Sequence, residues 1–266
     1  MADDYTHGHH ESVLRSHRWR TAENSAAYLL PELRPGMTVL DVGAGPGTIT
    51  LDIAGLVAPG VVHGIDASAD VIAQAEANRA AAGVENVTFA VDDAYDLAPA
   101  DDTWDVVHAH QVLQHLSRPV DALREFRRVV RPDGVVAARD VDYEGTIWFP
   151  AVPGLAEWRE VYLAVHRGTS GDPAAGRMLK SWARAAGFTQ VRSSASVWLF
   201  ESPEDRDWWG GLWAERALHS SFADNALRLG LTDQAGLERI SDGWREWAAS
   251  EDGWLLMPHG EILARG

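Results

Sequence analysis

The 266-residue chain contains no cysteine, which excludes a disulfide framework, cysteine-ligated zinc and a thiol nucleophile. It has no apolar run approaching the roughly 18 to 20 residues that span a bilayer. Its first residues, Met1-Ala2-Asp3-Asp4-Tyr5, are acidic and polar, unlike a secretory signal. These absences predict a soluble, cytoplasmic protein. Positive charge is also scarce, with 23 Lys and Arg against 39 Asp and Glu and a formal charge of −16. Such an excess disfavours broad contact with nucleic acid or anionic lipid, because it raises the cost of approaching a phosphate array. A small neutral or cationic substrate is easier to reconcile. There is no internal repeat and no low-complexity segment. Apolar residues, by contrast, make up 46% of the chain, ample for a buried core.

The most informative stretch is Thr38-Val39-Leu40-Asp41-Val42-Gly43-Ala44-Gly45-Pro46-Gly47-Thr48. An apolar strand runs into three glycines at every second position and then into a helix. Glycine lets the backbone approach a ligand and tolerates the positive φ of a tight strand-to-helix turn. Asp66 ends a second apolar run, Val61-Val62-His63-Gly64-Ile65, where a carboxylate accepts hydrogen bonds from ribose hydroxyls. Together they predict a nucleoside site. The dinucleotide fingerprint requires its last glycine at position 48, but that residue is Thr48 and the third glycine is Gly47. An NAD(P)-dependent oxidoreductase is therefore the weaker reading. Asp41 beside the turn repels a pyrophosphate and suits a ligand carrying an ammonium or sulfonium group, as S-adenosylmethionine does.

The segment Asp41-Val42-Gly43-Ala44-Gly45-Pro46-Gly47 resembles the first motif of class I S-adenosylmethionine-dependent methyltransferases, acidic-x-Gly-x-Gly-x-Gly. Three further segments resemble later motifs in the same order. These are Val87 to Ala94, Trp104 to His110 with the following Gln111-Val112-Leu113-Gln114-His115-Leu116, and Val129-Val130-Arg131-Pro132-Asp133-Gly134. The likeness covers residues 37 to 140, and the ubiquinone and menaquinone biosynthesis-like methyltransferases are the nearest group. The resemblance implies an α/β, Rossmann-like seven-stranded sheet, mostly parallel with the last strand antiparallel. It implies S-adenosylmethionine along Asp41, Gly43, Gly45, Gly47, Asp66 and Ala67. Asp93 would accept from the adenine amino group, Ala94 would offer its backbone, and His110 and Gln111 would lie near the methionine part. The Asn/Asp-Pro-Pro-aromatic segment of nucleic-acid amine methyltransferases and the paired-glutamate loop of protein arginine methyltransferases are both absent, which leaves a small-molecule acceptor.

Periodicity predicts strands near 37 to 42, 61 to 66, 86 to 91, 104 to 109 and 134 to 140, alternating with helices near 47 to 57, 69 to 82 and 119 to 130. Ser68 suits an N-cap, Gly83 a helix stop and Pro119 a first helical turn, while Arg131 to Gly134 reads as a turn. Residues 11 to 33 read as a leader helix with Ala26, Leu29, Leu30 and Leu33 on one face. Beyond residue 143 the expectation is helices near 155 to 166 and 176 to 186, a strand from 188 to 200, a helical block over 203 to 252, and a last strand from 253 to 264. The whole is expected to be one domain, 1–266, with a leader (1–36), a cofactor-binding core (37–143) and a substrate-side half (144–266). Its helical cap insertion at 203–252 is Trp-rich and placed to roof the acceptor.

Ligands of open α/β sheets lie beyond the carboxyl ends of the strands. That places His110 and His115 after the fourth strand, and Asp140, Asp142 and Tyr143 after the fifth, as candidates to take a proton from an acidic acceptor or to orient it. Methyl transfer is an in-line displacement in which positioning supplies much of the rate. In the leader, Tyr5, His10 and Trp19 are expected to close over the cofactor, with Arg18 or Arg20 as anchor. The cluster His7, His9, His10 and His17 lacks convincing ligand spacing, and no metal is expected. The expected partner is a small-molecule methyl acceptor, with no nucleic acid, no membrane, and a homodimer left open. A cofactor-binding protein without transferase activity is the non-enzymatic rival.

Overall fold

A computed structural model describes residues 19–266. Tyr5, His7, His9, His10, His17 and Arg18 lie outside the described residues. Strands β1 (Val39–Val42), β2 (Val62–Asp66), β3 (Val87–Val91), β4 (Trp104–His110) and β5 (Val130–Val141) pair in the order 3-2-1-4-5, all parallel. Three later strands, β6 (Ile147–Phe149), β7 (Gln190–Phe200) and β8 (Trp254–Arg265), complete an eight-stranded sheet. The last strand, β8, is antiparallel to β5, β6 and β7. The expected architecture is present with one strand more than anticipated. The extra strand, β6, pairs Ile147 to Leu256 and continues the place of β5 along β8.

Between the strands run α1 (Ala22–Ser25), α2 (Thr48–Val57), α3 (Ala69–Ala82), α4 (Pro119–Val129), α5 (Pro153–Gly168), α6 (Ala175–Ala185), α7 (Pro203–His219), α8 (Ser221–Arg228) and α9 (Gln234–Ala249). The α3 boundaries follow from local chemistry. The Ser68 hydroxyl accepts from the Val71 amide, and Gly83 closes the helix at φ +66°, a conformation that costs glycine little. Pro119 opens α4, where its missing N–H is no loss.

Two expectations change. The described part of the leader is not one helix but the short α1 and a 3-10 turn at Leu30–Glu32. Pro31 in that turn has no amide to extend an α-helix. Its Ala26, Leu29 and Leu33 are nonetheless buried against Ile53 and Val39. Arg131 to Gly134 is no separate turn either. It is an irregularity inside β5, across which the pairing to β4 jumps from Trp104↔Val130 to Val106↔Val135.

One face of the sheet packs on α4 and α6 through Val107, Ala109, Phe126 and Leu179. The other is covered by the leader and α2. A third cluster joins α5, α7, α8 and α9 to the far end of β7 and β8, around Trp158, Tyr162, Trp213, Trp244 and Trp247. No described helix is long and apolar enough to cross a membrane.

Candidate active site

A cavity of about 930 Å³ opens at the carboxyl ends of β1 to β4, where the loops diverge on either side of the first strand. Its floor is the glycine turn. Gly43, Gly45 and Gly47 all have positive φ, at +69°, +57° and +83°. They do different things. Gly45 lines the cavity and donates its amide to Asp66 Oδ2 at 3.2 Å. Gly47 backs the turn instead, since a Cβ there would fall 2.6 Å from the Phe89 ring. Thr48, at the position where a dinucleotide site needs glycine, faces the cavity.

Asp66, Ala67, Asp93 and Ala94 all line the cavity. Asp66 Oδ1 accepts from the Ser68 amide at 3.0 Å, which fixes the carboxylate at the end of β2. Asp93 Oδ1 holds the Tyr95 amide at 2.9 Å. Asp41 also borders the cavity, but it is buried and both its oxygens are taken, by the Thr50 hydroxyl at 2.5 Å and by His108 Nδ1 at 2.8 Å. Its direct engagement with a ligand is therefore limited.

His110, Gln111 and His115 form the wall beyond β4. Gln111 has φ +54°, rare for a side-chain-bearing residue. Its amide donates to Arg139 O at 2.7 Å, its Oε1 accepts from Arg20 Nη2 at 2.7 Å, and its Nε2 donates to His259 Nε2 at 2.9 Å. One residue thus ties the leader to β8 across the cavity wall. Burial lowers the His110 pKa well below 6.5, helped by the positive charges of Arg139 and Arg20. The same cause, with His166 and Arg20 adding, lowers His115. Both rings are neutral at physiological pH. The Gln114 side chain donates to His115 Nε2 at 3.0 Å, whereas neither ring nitrogen of His110 has a partner among the described residues.

Several expected site residues lie elsewhere. Asp142 caps the 3-10 turn at Tyr143–Gly145 and is held bidentately by Arg177 at 2.5 and 2.8 Å, so its carboxylate is committed away from the cavity. Tyr143 is buried against Tyr162, ring centroids 4.6 Å apart, in the cluster under the helical block. Asp140 is fully buried behind the β4 loop, and desolvation pushes its pKa up to about 8. Trp19 packs edge-on to Trp198 at 5.1 Å and against Trp208 at 5.3 Å, not into the cavity. The roof expectation also changes. Among the described residues, nothing in 203–252 lines the cavity, and Trp209, Trp213, Trp244 and Trp247 are core. Trp213 stands 4.9 Å from Trp158 and stacks on Trp244 at 5.6 Å.

Sequence reasoning missed Tyr95 and Arg118, which line the cavity with the guanidinium 4.3 Å above the ring; no local period links positions so far apart. It also missed Arg139, although an arginine inside the run Val135-Val136-Ala137-Ala138-Arg139 was a visible signal. No group of three or more His, Asp or Glu among the described residues could hold a metal ion.

The methyltransferase-domain family matches residues 33–185. An uncharacterized methyltransferase of Schizosaccharomyces pombe is 32% identical, over 97% of this chain and 95% of its own. Among solved structures, the YcgJ protein of Bacillus subtilis superposes with a TM-score of 0.58 at 20% identity, covering 91% of this chain and 98% of that one. Phosphoethanolamine N-methyltransferase 2 of Haemonchus contortus, solved with S-adenosyl-L-methionine, gives 0.54 at 19% identity over 88% of this chain and 49% of its own. The chain belongs to the methyltransferase-domain family and is a class I methyltransferase that uses S-adenosylmethionine.

Proposed function

We propose that this enzyme methylates a small-molecule acceptor at the mouth of β4, in a single domain whose residues 37–143 hold the cofactor. The observation that carries the reading is the continuous cavity running from Asp93 past Asp66 and Gly45 to His110. Asp66, the glycine turn and the His110 imidazole all line it, which supports reading them as ribose acceptor, cofactor cradle and acceptor-side wall. The residues fit the cofactor: Asp66 is fixed by two backbone amides and faces the cavity, and the turn is built from positive-φ glycines. Asp66 would receive the ribose hydroxyls, Asp93 and the Ala94 backbone the adenine, and Gly45 the chain between them. Bound there, S-adenosylmethionine supplies an electrophilic methyl carbon on a sulfonium.

The acceptor would stand against His110 and His115. Neutral imidazoles accept a hydrogen bond or a proton without first losing one, which suits an acceptor that must be deprotonated. Their lowered pKa makes them weak bases, so orienting the acceptor is their larger contribution. The tryptophans of 203–252 support the fold around this site and are not part of its wall.

Incubation with methyl-labelled S-adenosylmethionine and an acceptor panel tests transfer, and calorimetry against S-adenosylhomocysteine and NAD tests recognition. Binding of S-adenosylhomocysteine but not NAD, with label moving to an acceptor, is expected. Tighter binding of NAD would reject the reading. Cofactor binding with no transfer to any small-molecule acceptor would reject the small-molecule assignment.

A further inference from the structure

Charge is unevenly distributed around the cavity. Among the described residues its acids, Asp41, Asp66, Asp92 and Asp93, all come from the ends of β1, β2 and β3. The wall made by residue 20 and residues 110–118 contains no carboxylate; its ionisable groups are Arg20, His110, His115 and Arg118. In a chain with 39 acidic and 23 basic residues, this is a local reversal of the field.

Behind that wall lies Arg139, the register partner of His110 on β5 and only 1% exposed. Its Nε donates to Ser196 Oγ at 3.0 Å and lies 3.4 Å from Glu261 Oε1. The two Glu261 oxygens are already held by the Ser194 and Ser196 hydroxyls at 2.7 and 2.5 Å. The other end of the guanidinium is different: Nη1 and Nη2 have no partner among the described residues, and neither does the Tyr28 hydroxyl. Burial raises the Tyr28 pKa, and Arg139 is the charge that most opposes the rise, so the two groups sense each other. The Trp198 ring stands 5.1 Å from Arg139 Cζ and 5.8 Å from the His110 ring. With both nitrogens of His110, five buried polar atoms in neighbouring side chains lack a partner. Native interiors rarely leave such groups unsatisfied. Guanidinium nitrogens only donate, and the paired terminal N–H groups match the two oxygens of a carboxylate.

Resting on the methyl-transfer reading above, we infer that the acceptor is an organic acid, held beside His110 with its carboxylate drawn toward Arg139 and Arg20. The acidity of the whole chain favours a neutral or cationic substrate, but exposed charges are largely screened beyond about 8 to 10 Å while buried charges are screened much less. Arg139 is on this account a positioning residue that selects for charge. Carboxylate chemistry could also come from the amino-acid end of the cofactor, and the test separates the two.

Protein saturated with S-adenosylhomocysteine is titrated in a calorimeter with benzoate and with benzamide, which share shape and differ in charge. Benzoate is expected to bind at least about tenfold more tightly, a difference of about 1.4 kcal/mol. Arg139→Met should erase that preference while S-adenosylhomocysteine affinity stays within about twofold of wild type. Arg20→Met, in the partly exposed leader, should reduce it and keeps the idea testable if the buried substitution does not fold. Equal binding of both probes, binding of neither, or an undiminished preference in the folded variants would overturn the inference. So would a fall of about tenfold or more in S-adenosylhomocysteine affinity on Arg139→Met, because the positive charge would then serve the cofactor. Failure of the wild-type protein to bind S-adenosylhomocysteine at all would instead sink the proposed function, and is read in the same instrument before either probe is added.

Discussion

Asp66 holds the glycine turn and faces the cavity at once. Its two oxygens receive the Gly45 and Ser68 amides at 3.2 and 3.0 Å. Hydrogen bonds to a charged group contribute about 1.5 to 3 kcal/mol each. Asp66→Ala should therefore weaken S-adenosylhomocysteine binding by roughly 10- to 100-fold for a single lost bond, with Asp66→Asn intermediate because one oxygen acceptor survives. Calorimetry on both variants, with melting temperature as the folding control, checks this. Wild-type affinity in a folded Asp66→Ala protein would remove ribose recognition from this residue. Asp142 makes the opposite case. Its place after the fifth strand was legible in the sequence, but its bidentate partner Arg177 lies 35 positions away, and nothing local announces that pairing.

The elements that were easiest to foresee are those whose limits are set by neighbours along the chain. The α3 helix begins at the Ser68 cap and stops at Gly83, and β1 to β4 sit within two residues of their expected ends. The helical block of α7, α8 and α9 was legible as helix and misread in role. A tryptophan at helical spacing signals an inward face, but which interior it meets depends on how α7 and α9 pack on α5. They pack through Trp158, Trp213 and Trp244. Trp213→Leu should accordingly lower stability by about 2 to 4 kcal/mol, in the range of large-to-small core changes, and leave S-adenosylhomocysteine affinity unchanged. Chemical denaturation and calorimetry on that variant decide the point. A variant of normal stability with impaired acceptor turnover would return the tryptophan to the acceptor pocket.

For the molecule as a whole, buried ionisable groups set the pH range of stability. Burial holds His166 down to about 3 and His110, His115 and His259 well below 6.5. Below pH 6.5 the unfolded chain binds protons at these positions and the folded chain does not, so stability falls as pH drops, by about 1.4 kcal/mol per unit for each histidine. Asp140, raised to about 8, works the other way. The folded state keeps its proton between about pH 4 and 8 while the unfolded state does not, so its contribution declines as pH rises through that window. Four lowered histidines outweigh one raised aspartate, so the net effect of these groups is a loss of stability as pH falls below 6.5. Urea titrations at pH 7, 6 and 5 should show this loss; a flat profile would mean that the histidines are not held neutral.

The sequence by itself determined the glycine turn, the acid at the end of the second strand, the alternation of strands and helices, and hence the methyltransferase class. These are properties of residues within a few positions of one another, where backbone φ, capping and periodicity act directly. Tertiary structure alone decided that Trp209, Trp213, Trp244 and Trp247 are core, that Asp142 belongs to Arg177, and that Gln111 links Arg20, 91 positions before it, to His259, 148 positions after it. It also set Arg139 beside His110, through the register of β4 on β5. Such contacts carry no local period, because the energy that selects them comes from burial and pairing between segments that meet only when the sheet has formed.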